Sequence, residues 1–287
     1  MAGESLERAV WWFSGTGNSL VVARDLAQIL GARLEPMARF LAEGRVQAPR
    51  GLAVLVFPVY FGALPNLVAR FVASLDGAEA CKLTAIATYG GGAGESFDQL
   101  NQILALRGSK LNAVYGLHLP QNAFNKFWEN PAAIFRAVAR RVGKMAGEIE
   151  AGRPVRSLDQ AWLQPILARF RSQIRGANRR SLLAVSGLAD DPTHTHHDLV
   201  AASDRSYRTN DSCNACGLCV RLCPVGNLSL ETGRPVWSGR CEACLSCYHS
   251  CPRQAISGNV VQRGYFYRNP LVSPAELACQ QHGGTAE

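Results

Sequence analysis

Two copies of one cysteine spacing lie close together in the last third of the chain. The first reads Cys213-x-x-Cys216-x-x-Cys219-x-x-x-Cys223-Pro224, and the second reads Cys241-x-x-Cys244-x-x-Cys247-x-x-x-Cys251-Pro252. Four closely spaced cysteines followed by a proline are the pattern that binds 4Fe-4S clusters, which take four thiolates each. Zinc sites built from cysteine use two widely separated Cys-x-x-Cys pairs instead. The spacing therefore predicts two iron-sulfur clusters, with a pair of zinc sites or a disulfide framework as the alternative.

The repeat also predicts which cysteines share a cluster. In such runs three cysteines on one loop bind one cluster, and the fourth reaches the other cluster. Residues 204–268 resemble the bacterial two-cluster 4Fe-4S ferredoxins at every ligand position, which implies a small α+β ferredoxin-like domain. Cluster one would take Cys213, Cys216, Cys219 and Cys251, and cluster two would take Cys241, Cys244, Cys247 and Cys223.

A second motif follows the first predicted strand, near the start of the chain. The apolar run 8–13 ends in Ser14-Gly15-Thr16-Gly17-Asn18-Ser19, and a helical pattern begins at Leu20. A glycine loop at a helix start presents backbone N–H groups to an anion, and its Ser, Thr and Asn side chains add neutral donors. The loop lacks the lysine of a triphosphate P-loop, and Leu20 replaces the third glycine of the dinucleotide fingerprint. The motif therefore favours a single terminal phosphate.

This loop resembles the first loop of the flavodoxins, which reads Ser/Thr-x-Thr-Gly-Asn-Ser/Thr and holds the phosphate of FMN. Predicted strands at 33–37, 52–57, 83–88 and 111–119 alternate with predicted helices at 65–75, 96–106 and 131–149. The resemblance implies an α/β fold over residues 1–150, a flavodoxin-like doubly wound five-stranded parallel sheet of order 2-1-3-4-5. Pro58, Gly62 and Pro65 interrupt the uncharged stretch 51–69, so we predict a buried strand and a loop there rather than a membrane span.

In a sheet of this order, ligands bind beyond the carboxyl ends of the strands, at the switch point between strands one and three. Tyr60 and Phe61 would then stack on the flavin, and Tyr60 and His118 are the candidates for a proton donor; no catalytic residue is assigned. Phe124, Phe127 and Trp128 would either cover the flavin from the side or pack at the joint between the domains, and we favour the joint. The predicted FMN-binding residues are Ser14, Gly15, Thr16, Gly17, Asn18 and Ser19, then Pro58, Val59, Tyr60, Phe61 and Gly62, then Thr88, Tyr89, Gly90, Gly91 and Gly92, and Asn122.

The remaining segments are a predicted helical connector over residues 151–203 and a frayed tail over residues 269–287. The formal net charge is +8, and the arginine-rich helix at 169–180 would suit an acidic redox partner protein, although a solvated helix face is the simpler interpretation. No nucleic-acid-binding motif accompanies it. The histidines at 194–197 are interpreted as part of a polar loop rather than a metal site. The metal-binding thiols and the absence of a signal-peptide pattern favour a cytoplasmic protein outside the membrane.

With these two resemblances combined, the chain is similar to the flavodoxin-ferredoxin fusion family. They imply an electron-transfer iron-sulfur flavoprotein that relays electrons between FMN and two 4Fe-4S clusters, to or from a redox partner protein. The alternative is an FMN-dependent reductase of a small molecule, fed by the clusters. A third, non-redox hypothesis is an interaction protein stabilised by zinc. The sequence leaves the oligomeric state, the donor and the acceptor open.

Overall fold

The computed structural model describes residues 7–42, 44–126, 129–159 and 164–282. Six strands of the first half form one parallel sheet: β1 (Arg8–Trp12), β2 (Arg33–Pro36), β4 (Leu52–Pro58), β6 (Lys82–Tyr89), β7 (Leu111–His118) and β8 (Arg156–Leu158). Their order is β2-β1-β4-β6-β7-β8. The first five strands of this order reproduce the predicted 2-1-3-4-5 arrangement, so the doubly wound, flavodoxin-like fold is confirmed. A separate parallel pair joins β3 (Val46–Gln47) to β5 (Leu75–Asp76).

Alternation along the strands sends side chains into two apolar layers. In β1, Trp11 belongs to one layer and Trp12 to the other, as the two-residue period of a strand requires. Trp11 packs edge-on against Phe71, with ring centroids 5.1 Å apart. The helices α1 (Asn18–Leu30) and α4 (Pro131–Glu150) cover the Trp12 layer, and α2 (Asn66–Ala73) and α3 (Ser96–Ala105) cover the Trp11 layer.

The stretch predicted as a helical connector begins with a strand instead. Residues 156–158 form β8, which extends the predicted five-stranded sheet to six by pairing in parallel with β7. A three-residue edge strand is too short to show a two-residue period in the sequence. Helices α5 (Gln164–Arg169), α6 (Arg171–Ser186) and α7 (His196–Ala201) follow. Along the described ranges, no helix is long and apolar enough to cross a membrane.

The cysteine repeat folds into a small unit of short elements. These are β9 (Arg208–Thr209), α8 (Leu218–Leu222), β10 (Leu228–Glu231), β11 (Arg234–Trp237), α9 (Ser246–His249) and β12 (Ile256–Ser257). A two-residue turn, Thr232-Gly233, joins β10 to β11, and both of its residues have positive φ, as a type I′ hairpin turn requires. Leu182 of α6 and Leu199 of α7 are buried in the same core as Tyr248 and Ile256. The connector helices therefore pack on the cysteine unit.

The prediction of a frayed tail is wrong for residues 274–282. They form α10 (Pro274–His282), in which Leu277 is completely buried and Gln280 is almost so. Leu277 joins Val272 in the core layer beneath α1. A single large apolar side chain in nine residues gives no helical hydrophobic pattern, which is why the sequence did not indicate this helix.

Candidate cofactor-binding site

The eight motif cysteines come together in two groups of four. Each group lines its own cavity, and each contains three cysteines from one motif and one from the other. The structure thus assembles the same quartets that the repeat predicts. One cavity is lined by Cys213, Cys216, Cys219 and Cys251, and the other by Cys223, Cys241, Cys244 and Cys247.

The two cysteine loops share one backbone shape. Ala215 and Ala243 occupy equivalent positions in the two motifs and have φ of 58° and 52°. A left-handed conformation costs about 1–2 kcal/mol at a residue with a Cβ, so this loop shape is maintained against an energetic penalty. The equivalent amides of Asn227 and Ala255 donate to the sulfurs of the cysteines four residues earlier, at 3.1 Å and 3.4 Å. Amide hydrogen bonds to ligand sulfur tune the potential of a bound cluster.

The chemistry of these thiols fits a metal cluster. Burial raises the pKa of Cys244 and Cys247 well above the usual range and raises the pKa of Cys241 to about 12. Buried thiols of this kind become thiolates only when a metal compensates their charge. Within the described residues, no three His, Cys, Asp or Glu side chains lie close enough to hold a single metal ion. Sulfurs that surround a cavity, rather than one point, suit a polynuclear cluster better than zinc.

The phosphate loop provides an anion cradle. Gly17 precedes α1 with φ 97°, and no side chain caps this helix end. The first amides of a helix have no partner within it, so they are available to a phosphate. Two serine hydroxyls of the loop stabilise its conformation. Ser14 Oγ accepts a hydrogen bond from the Gly17 amide at 3.0 Å, and Ser19 Oγ lies 2.8 Å from Thr88 Oγ1 of β6. The local chemistry fits the phosphate of FMN.

Two adjoining cavities collect the other predicted FMN-binding residues. The smaller one lies at the phosphate loop, and the larger one, with a volume of about 700 Å³, extends towards the cysteine unit. This volume lies within the range of cofactor pockets, about 300–1,000 Å³. Gly17 is the one predicted residue that lines neither cavity. Both cavities are lined by Val59, Tyr60, Tyr89, Gly90 and Asn122.

The aromatic loop after β4 adopts a conformation unusual for a bulky residue. Phe61 has φ 49°, and its carbonyl accepts from Asn178 Nδ2 at 2.8 Å. Tyr60 packs edge-on against Phe13, with ring centroids 6.2 Å apart. Burial raises the pKa of Tyr60 well above its usual value, so this hydroxyl keeps its proton near pH 7. His118 lines neither cavity; its imidazole lies 3.2 Å from Glu129.

Helix α6 forms an outer wall of the larger cavity, which the sequence did not predict. Arg171, Arg175 and Asn178 line it. Arg175 pairs with Glu95, and Arg171 lies 3.3 Å from Asp98. These arginines therefore have partners within the chain. Phe124, predicted at the domain joint, also lines this cavity; the predictions for Phe127 and Trp128 lie outside the described residues.

The C-terminal segment 267–282, called the clasp below, covers the phosphate loop. The Tyr267 hydroxyl donates to Asn18 Oδ1 at 2.6 Å, and the Asn269 amide donates to the Thr16 carbonyl at 2.8 Å. The Gln280 side chain accepts from the Ser14 amide at 3.0 Å and donates to the Ser14 carbonyl at 2.9 Å. Sequence reasoning missed these contacts because they join residues about 250 positions apart.

The second cysteine loop touches the phosphate and flavin loops directly. Asn122 Nδ2 donates to the Cys244 carbonyl at 3.3 Å, and a Cβ on Gly15 would overlap the same carbonyl. His249 bridges the units, since its Nδ1 accepts from the Tyr267 amide and its Nε2 therefore donates to the Asn122 carbonyl, at 2.8 Å. Burial lowers the pKa of His249 to about 4, so it is neutral near pH 7.

Comparisons with known proteins fall on both halves. The family model "4Fe-4S binding domain" matches residues 207–229. No curated protein matches the chain. A putative flavoprotein from Bacteroides uniformis is 12% identical over 47% of this chain and 99% of its own, with a TM-score of 0.32. Rubredoxin oxygen:oxidoreductase from Desulfovibrio gigas is 14% identical over 51% of this chain and 36% of its own, with a TM-score of 0.33.

A flavodoxin, WrbA-like protein from Agrobacterium tumefaciens is 13% identical over 50% of this chain and 99% of its own, with a TM-score of 0.33. The fold assignment itself comes from the strand order of the sheet. The iron-sulfur assignment comes from the matched segment, which contains the first cysteine motif. The chain therefore joins a flavodoxin-like α/β unit to a 4Fe-4S ferredoxin-like unit, an architecture of redox proteins.

Proposed function

We propose that this protein is an electron-transfer flavoprotein that holds one FMN and two 4Fe-4S clusters and exchanges electrons with a redox partner protein. The observation that carries the proposal is the contact of the Cys244 carbonyl with Asn122 and with the Gly15 backbone. This contact brings the second cysteine quartet against the loops predicted to hold FMN. When bound, FMN exchanges one or two electrons and each cluster exchanges one.

The two cavities would bind different parts of the FMN molecule. The uncapped start of α1 would hold the phosphate, and the loops around Tyr60 and Gly90 would hold the flavin ring. Ala243 and Leu245 form part of the wall of the ring cavity. They exclude water between this cavity and the second quartet, which keeps the path for electrons short and apolar.

The two quartets differ in their exposure. Cys216 and its neighbours Asn214 and Ala215 are exposed, whereas Cys223, Cys244 and Cys247 are buried. Exchange with another protein requires a cluster near the surface, and exchange with FMN requires one near the flavin loops. The exposure supports the first quartet as the contact point for the partner and the second as the neighbour of FMN.

The test is an anaerobic titration of the purified protein with dithionite, followed by absorption and EPR, with iron, sulfide and flavin assayed on the same sample. We expect about eight iron atoms and one FMN per chain, and flavin and clusters that equilibrate with one another. Zinc in place of iron, or protein without flavin, would overturn the proposal.

A second candidate is a flavin-dependent reductase of a small molecule, and the size of the larger cavity favours it. The cavity continues past the flavin loops to α6, and His196 and Arg175 line it there. Burial lowers the pKa of His196 to about 4, so the ring is neutral near pH 7. The test is to mix the reduced protein with a small-molecule acceptor in the absence of a partner protein and to follow oxidation of the flavin in a single turnover. A reductase would show this oxidation, and a carrier would not.

A further inference from the structure

Most of the ionised side chains that reach the surface of the cysteine unit are arginines. Residues 204–258 contain six arginines, no lysine and four acidic residues. Two of the acids, Asp204 and Glu242, are buried. A third, Asp211, pairs with Arg234 at 2.9 Å. The arginines are Arg205, Arg208, Arg221, Arg234, Arg240 and Arg253.

Several of these arginines frame the exposed cysteine loop. Arg221 donates to the carbonyl of Cys216 at 3.2 Å, and Arg253 donates to the carbonyl of Ser212 at 3.3 Å. Both side chains belong to exposed residues. Their hydrogen bonds to these neutral carbonyls hold both guanidinium groups at the first cysteine loop and leave their charge intact, so a partner that approaches Cys216 meets a positive rim.

A basic recess adjoins this rim. It is an open concavity of about 630 Å³ whose lining includes three arginines, two aspartates and Trp237, so arginine is in excess there: Arg205, Arg208 and Arg234 against Asp204 and Asp211. Trp237 stacks on Tyr207, with ring centroids 5.5 Å apart, and both rings also wall the second cysteine cavity. The recess therefore lies next to both quartets.

Apolar side chains between the arginines complete the pattern of a docking face. Leu230, 40% exposed, lies beside the first cysteine cavity, and Val236, 38% exposed, lines the recess. The strand register places these two side chains on opposite faces of the β10–β11 hairpin, so each adds apolar surface to a different part of the charged region. Apolar contacts within a polar, charged rim are typical of protein–protein interfaces. A binding site for a small anion needs no such apolar surface.

We propose that this surface, the rim of Arg221, Arg253 and Leu230 together with the recess of Arg205, Arg208 and Val236, docks an acidic one-electron carrier protein. The inference rests on the proposed electron-transfer function and assigns the class of the partner. It also places the docking surface on the cysteine unit rather than on α6, where Arg171, Arg175 and Arg179 pair with Asp98, Glu95 and Asp190. Complementary charge would steer the carrier to the exposed first quartet.

The experiment measures the second-order rate of reduction of the loaded protein by a reduced acidic flavodoxin, at a series of salt concentrations. We expect the rate to fall as salt rises, and Arg205→Gln with Arg208→Gln to lower it about tenfold at low salt and flatten the salt dependence. Arg205→Lys with Arg208→Lys keeps both charges and should stay within about twofold of wild type. Arg33→Gln, on an exposed arginine of β2, is the control for charge elsewhere.

The possible results distinguish a failure of the docking proposal from a failure of the proposed electron-transfer function. Protein without iron or flavin would sink the proposed function before any partner is added. Fully loaded protein that dithionite reduces, but whose rate with the acidic flavodoxin ignores salt and the glutamine changes, overturns the docking face alone. Saturable inhibition by inorganic phosphate at constant ionic strength, or tight binding of a DNA oligonucleotide at this face, would also overturn it.

Discussion

Gly15 lies where the phosphate loop and the second cysteine loop meet. A Cβ there would overlap the Cys244 carbonyl and lie 2.5 Å from the Tyr60 hydroxyl. Its φ is not in the left-handed region, so the requirement for glycine comes from this close approach and not from backbone strain. The sequence motif leaves this position unrestricted, so the reason for a glycine here comes from the structure, in the fit of the two units.

We therefore expect Gly15→Ala to push the two units apart. The extra methyl meets backbone and a buried hydroxyl, neither of which can move freely, so the free energy of unfolding should fall by about 1–3 kcal/mol. Thermal unfolding under anaerobic conditions measures the change. Gly143→Ala in α4 is the matched control, because a Cβ there meets nothing within 4 Å and should be neutral or stabilising by up to about 1 kcal/mol. Equal stability of the two variants would refute the close contact.

At the scale of elements, α10 acts as part of the clasp over the phosphate loop. Gln280 is 1% exposed and makes two hydrogen bonds with the Ser14 backbone. The backbone N–H of Asn269 donates a third hydrogen bond to the loop, at the Thr16 carbonyl. These bonds hold the loop that lines the smaller cavity, so we expect the clasp to strengthen binding of the proposed FMN.

Replacing Gln280 by Glu tests this role with little change in shape. A carboxylate cannot donate to the Ser14 carbonyl, and an unsatisfied buried polar group costs about 1–3 kcal/mol. We expect FMN to bind about tenfold more weakly, as measured by quenching of flavin fluorescence. The same loss of a hydrogen bond lowers the melting temperature of the apo-protein, so FMN binding is measured well below the apo transition: weaker binding to the folded variant supports the clasp, and unchanged FMN affinity contradicts it. Gln102→Glu, on an exposed residue of α3, is the control.

The elements differ in how far the sequence could predict them. The strand β4 is an uninterrupted apolar run buried on both faces, and β6 is buried on both faces after Lys82 with threonine as its only other polar residue type, so the positions of both follow from local pattern. The edge strand β8 and the helix α10 have no such pattern and are stabilised by what they pack against. The same distinction divides the site. The phosphate loop and the cysteines are local motifs, whereas Asn178 and Gln280 reach the site only through folding and carry no local signal.

At the scale of the whole molecule, each cysteine quartet takes three cysteines from one motif and one from the other. Cys251 is the last cysteine of the second motif but lines the cavity of the first, and Cys223, the last cysteine of the first motif, lines the cavity of the second. Such exchange ties the two halves of the cysteine unit together, because neither cluster can form from one motif alone. It also links the unit to the flavodoxin-like half through the loop at Cys244, which lies on the phosphate loop.

Serine replacements distinguish crossed quartets from two separate ones. If each quartet takes cysteines from both motifs, Cys251→Ser and Cys216→Ser remove the same cluster. Each variant should then keep about four iron atoms, and the two variants should show the same residual EPR spectrum. Both should also retain FMN, since the second quartet still supports the loop that lines the flavin cavity. Cys223→Ser and Cys244→Ser should share the other spectrum and bind FMN less tightly. Separate quartets would instead pair Cys251→Ser with Cys244→Ser, and Cys279→Ser, outside both motifs, should keep all the iron.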